Sequence, residues 1–97
     1  MWYILKRGKP VKAKSSKHYH YWSSNSRYKC VKQEGIDDIF ISTVFLGLDH
    51  GQNSNIPVLW ETMIFGGEYD QYQERYISYE DALQGHKVAK NLINIKK

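Results

Sequence analysis

The clearest strand signal is Ile39–Leu48 (IFISTVFLGL), which alternates but is apolar on both sides. Phe40, Val44, Leu46 and Leu48 fall on one face, and Ile39, Ile41 and Phe45 on the other. That pattern predicts a central strand covered on both sides. A polar loop, 49–57 (DHGQNSNIP), separates it from Val58–Phe65 (VLWETMIF), so the two runs read as a long-tipped hairpin ended by Gly66-Gly67. Tyr72–Ile77 alternates and predicts a third antiparallel strand. Tyr72 and Tyr76, with Arg75 between them, suggest an exposed strand face. From Ser78 the period changes. Ala82, Gly85, His86, Ala89, Leu92 and Ile93 recur at helical spacing, with Ser78 as cap and Asp81 completing a capping box.

The first third is less regular. Trp2–Leu5 reads as a short strand, Lys6–Pro10 as a turn, and a second short strand follows around Val11. Lys14–Ser26 reads either as an ordered loop or as a short helix, Ser16–Ser23, capped by Ser15 or Ser16. Tyr28–Lys32 predicts a strand and Gly35–Asp38 a turn. The sum is a single α+β domain spanning 1–97: a small, mainly antiparallel sheet of three to five strands with a C-terminal helix packed on one face.

Charge sharpens this picture. Up to Gln33 the chain carries nine Lys or Arg and no acid, and all ten acids lie between Glu34 and Asp81. Such a layout points to a phosphate-bearing or acidic partner for the first third. A chain of 97 residues also favours oligomerisation, so a homodimer is expected more than a monomer. Cys30 is the single cysteine, which excludes an intrachain disulfide and fits a reducing compartment. It reads as a half-buried structural thiol. The sequence has no apolar run of membrane-spanning length and no signal-peptide pattern, so a soluble, cytoplasmic protein with no membrane partner is expected.

The stretches ISTVFLGLDHG (Ile41–Gly51), PVLWETMIFGG (Pro57–Gly67) and YQERYISYEDALQGH (Tyr72–His86), and more loosely MWYIL at the start, resemble a family of small phage and prophage proteins without an agreed activity. The resemblance covers over half of the chain. It implies a viral accessory protein and supplies no catalytic residues. Lys14–Ser26 departs most from that family, whose members are usually more acidic there.

Two groups of residues could carry function. Lys12, Lys14, Lys17, His18, Tyr19, His20, Tyr21, Trp22, Arg27, Tyr28 and Lys29 interleave aromatics with bases. Aromatics of this kind stack on bases or anchor protein interfaces, while Lys and Arg meet phosphates or carboxylates. His18-x-His20 lacks a third metal ligand and reads as chance, so no metal or cofactor is expected. The second group is Asp49, His50, Glu61, Arg75 and His86. If Glu61, His50 and His86 converge they could form an acid–base pair or a metal site; more often a core Glu and His bond each other and fix a helix on a sheet. Gly85 reads as a site of close helix–sheet approach. The sequence has no P-loop, GxGxxG, GxSxG or HExxH pattern.

These features favour a non-enzymatic counter-defence inhibitor that docks on a host defence protein or nucleoprotein, such as a CRISPR effector, through its basic, aromatic front. One alternative is a sponge for a nucleotide immune signal, for which three arginines are a poor supply of phosphate clamps. The other is a small hydrolase using Glu61 with His50 or His86.

Overall fold

The structure, a computed structural model, describes residues 2–49 and 56–95. Its elements run β1 (Tyr3–Lys6), β2 (Lys9–Lys12), α1 (Ser16–Ser23), a 3-10 turn (Ser26–Tyr28), β3 (Cys30–Ile36), β4 (Ile39–Phe45), β5 (Trp60–Phe65), β6 (Gln73–Tyr76) and α2 (Tyr79–Ile95). β3 to β6 form one antiparallel sheet in chain order, and β1–β2 a separate hairpin. The architecture is therefore α+β, with the C-terminal helix packed on β4, β5 and β6.

Register divides the sheet into two unlike faces. Ile41 pairs with Ile64, Thr43 with Thr62 and Phe45 with Trp60, and all six are buried on the face that α2 covers. The helix presents Ala82, Ala89 and Ile93 to that face. Gly85 makes this closeness possible, because a Cβ there would meet the Tyr76 hydroxyl. Two apolar clusters result: Ile41, Ile64, Ala89 and Ile93 under the C-terminal half of the helix, and Phe45, Leu59, Trp60 and Ala82 under its start. Tyr3, Leu5 and Trp22 complete the second cluster, so the N-terminal third seals the end of the sheet that α2 leaves open.

The opposite face lacks such a cover among the described residues. β4 was expected to be enclosed on both sides, but Phe40 and its cross-strand neighbour Phe65 remain 41% and 39% exposed there. Both-sided apolarity here reflects cross-strand pairing on an open face. Three further expectations are corrected. The β3–β4 turn is only Asp37–Asp38, and Gly35 and Ile36 belong to the strand. Tyr72 and Tyr76 do not form an exposed face; they pack against the core clusters, while Arg75, of opposite parity, points away. Cys30 is exposed, because it opens an edge strand at a β-bulge. Most of the loop 49–57, including His50, lies outside the described residues.

Candidate macromolecule-binding face

The basic third is held at one end of the sheet by backbone and aromatic contacts. Tyr3 N–H donates to the Gly47 carbonyl, Phe45 N–H donates to the Lys29 carbonyl, and Ala13 N–H closes onto the Trp2 carbonyl. β1 and β2 turn through Arg7 and Gly8, both at positive φ, which is the two-residue turn whose twist suits a hairpin. That turn projects Lys6, Arg7 and Lys9 into solvent.

α1 realises the helical reading of Ser16–Ser23. Ser15 caps it by accepting a hydrogen bond from His18 N–H at 3.1 Å. Its anchor is Tyr19, which is buried, donates its hydroxyl to the Leu46 carbonyl at 2.8 Å and packs on Trp2 at 4.5 Å between ring centroids. Gly47 permits this seat: its φ is +81°, and a Cβ there would run into the Tyr19 ring and approach the Tyr3 carbonyl oxygen to 2.9 Å. Trp22 stacks on Tyr28 at 5.7 Å and meets Phe45 edge-on.

The aromatic cluster thus splits by position. Tyr19 is buried against Trp2 and the Leu46 carbonyl, and Trp22 packs on the second core cluster. Tyr21 (84% exposed) and Tyr28 (54%) face outward. His20 is exposed and packs on Trp2, while the His18 Nδ1 accepts the Lys14 N–H, so the two imidazoles are engaged separately. No group of three or more metal-ligating side chains occurs among the described residues.

Lys12, Lys14, Lys17 and Arg27 are exposed, and Lys29 is half-buried. None of these, nor Lys6, Arg7 or Lys9, has a carboxylate partner among the described residues. The cations that are paired lie elsewhere. Lys32 and Lys90 meet Glu34, and Arg75 meets Glu61. The acidic turn Asp37–Asp38 is at the opposite end of β4 from Phe45 and the N-terminal third.

Among the described residues of the second group, Glu61 meets Arg75 but not His86, and His50 lies outside the described residues. Glu61 pairs in register with Arg75 on the open face, where its carboxylate accepts from Arg75 Nε at 2.9 Å and from Gln73. His86 lies on the other face. Its Nδ1 is hydrogen-bonded to Thr43 Oγ1 at 2.7 Å and its Nε2 to Glu34 Oε1 at 2.8 Å, and Thr43 is bonded in turn to Thr62. A core His–Glu bond does tie the helix to the sheet, but the partner is Glu34. Hydrogen bonds from Lys90 and His86 hold the Glu34 carboxyl down at about 2, against an ordinary value of 4.5. Asp49 is separate from both groups, accepting the Val58 N–H at 2.9 Å across the base of the loop. The Glu34–His86 link escaped sequence reasoning because it depends on the β3–β4 register across 52 residues. Its only signal is that Glu34 is the first acid after nine bases.

No helix among the described residues is long and apolar enough to cross a membrane. No protein-family model, curated protein or solved structure matches the chain.

Proposed function

We propose that this chain is a non-enzymatic phage accessory protein that inhibits a host defence system by docking on an acidic macromolecular surface. A nucleoprotein such as a CRISPR effector is the leading class of target. The observation that carries this reading is the set of cations on β1–β2, α1 and the 3-10 turn that have no carboxylate partner among the described residues, on a framework built by the Trp2–Tyr19 and Trp22–Tyr28 contacts. Lysines without internal partners contribute nothing to the fold through ion pairing, and they repel one another. Their clustering is accounted for by a partner that supplies the missing negative charge.

The two other readings gain no support. A nucleotide sponge needs converging arginines, but Arg7 is at a hairpin tip, Arg27 in the 3-10 turn and Arg75 is bound to Glu61 on the open face. A hydrolase built on Glu61 and His86 would need them on one side of the sheet, and His50, the other candidate partner, lies outside the described residues. The experiment is capture from a defence-competent bacterial lysate with tagged protein, followed by mass spectrometry and nucleic-acid staining. The wild type retains a stoichiometric host protein or nucleoprotein, and a variant reversed at Lys12, Lys14, Lys17 and Arg27 loses it. Equal recovery by the two proteins would overturn the reading.

A further inference from the structure

Beneath the tip of the β1–β2 hairpin lie two adjoining hollows of about 250 Å³ each, which share Gly8 and Tyr79. The first is walled by Leu5, Cys30 and Val31. The second is walled by Pro10, Trp60 and Ile77, with Lys9 and Glu80 at its margin. Trp60 is buried, and its indole Nε1 has no hydrogen-bond partner among the described residues. Of the charged residues, Lys9 and Glu80 line the second hollow, and the exposed Lys6 and Arg7 stand between the lining residues Leu5 and Gly8 in the hairpin; none of the three cations is in an ion pair among the described residues.

Each hollow is smaller than the roughly 300–1,000 Å³ of small-molecule sites, which suits a single side chain better than a nucleotide. Apart from Tyr79, the walls of the first hollow are aliphatic or thiol, whereas unspecific single-strand binding relies on aromatic platforms. Neither Tyr21 nor Tyr28 lines either hollow. An apolar slot beside exposed cations is the layout of a protein-interface anchor, where one bulky apolar residue supplies most of the energy and neighbouring charges steer it in.

We infer that this groove receives an acidic peptide segment of a partner protein. One bulky apolar side chain seats between Leu5 and Val31, and a neighbouring Asp or Glu lies against Lys9. This rests on the reading of the basic face as a docking surface and adds the class of partner it takes at this point.

Cys30, the single cysteine of the chain, lines the first hollow and is exposed, so it reports occupancy directly. The probes are a short peptide of Asp and Glu around one Trp, the same peptide with Ser for Trp, and oligothymidylate. Binding is read by anisotropy, and groove occupancy by the rate of Cys30 alkylation with N-ethylmaleimide. The Trp peptide binds about tenfold more tightly than its Ser twin and alone slows alkylation. Cys30→Trp fills the slot and erases that preference while leaving the weaker, salt-dependent binding of both peptides. Equal binding of the two peptides, or alkylation unaffected by the Trp peptide, overturns the groove while leaving the basic-face reading intact. So does binding of oligothymidylate alone. Concentration-dependent self-association that protects Cys30 overturns it in favour of a second copy. If neither peptide nor oligothymidylate binds at low salt, the basic-face reading falls with it.

Discussion

His86 Nε2 stands 2.8 Å from the Glu34 carboxylate, on the side of the sheet that Glu61 does not face. This bond, continued through Thr43 to Thr62, ties α2 to β3, β4 and β5 within the core. Within this network Glu34, His86, Thr43 and Thr62 each have a partner. His86→Ala removes the central member and leaves buried Thr43 and half-buried Glu34 without it. The expected cost is about 2–4 kcal/mol, a fall in Tm of roughly 10–25 °C for a domain of this size. Thermal unfolding followed by circular dichroism measures it. A loss under a few degrees would show the network to be dispensable.

Acid sensitivity follows from the same carboxylate. The Glu34 pKa is lowered on folding, from 4.5 to about 2, so its stabilising contribution is present above 4.5 and is lost as pH falls from there toward 2. Stability of the wild type should decline through that window. Glu34→Gln should be less stable at neutral pH and show a shallower decline, as read from urea midpoints across pH. Parallel pH profiles would show that Glu34 does not carry the effect.

Glu61 is buried on the sheet face opposite α2, where its carboxylate accepts from Arg75 Nε and Gln73. Glu61→Gln keeps its shape and much of its bonding, and the Arg75 side chain is 40% exposed, so about 1 kcal/mol or less is lost. Arg75→Met should cost more than Glu61→Gln, because it leaves a nearly buried carboxylate without its cation. The reverse order in urea titrations would contradict the assigned pairing.

Gly47 tests how the N-terminal third is seated. Gly47→Ala puts a methyl group against the Tyr19 ring, at a φ that L residues rarely adopt. The expected result is destabilisation by about 1–3 kcal/mol, with amide exchange accelerated most in β1 and α1. Uniform acceleration, or none, would show that Tyr19 is not the hinge of that seat.

Much of this architecture was legible because local signals agreed with one another. Ser78 marked the start of α2, and the Ala82–Gly85–Ala89 spacing marked the face that approaches the sheet, whereas Ser15 was one of two caps for a stretch that read equally as a loop. Misreadings arose where a residue's meaning depended on its neighbours across the sheet. Phe40 signalled a covered face but instead pairs with Phe65 on an open one. Tyr76 flanks Arg75 in sequence yet lies across the sheet from it, beneath Gly85. The basic front was plain from composition, but its division into buried framework and exposed Tyr21 and Tyr28 needed the seating of Tyr19 on Gly47.

The most direct test of the basic face is the salt dependence of binding to the captured partner, compared between the wild type and the variant reversed at Lys12, Lys14, Lys17 and Arg27. Wild-type affinity should fall at least about tenfold between roughly 50 and 200 mM salt. The variant should bind at least about a hundredfold more weakly at low salt, with a flatter slope and a melting temperature within a few degrees of the wild type. Equal affinities and equal slopes for the two proteins would contradict the basic-face reading.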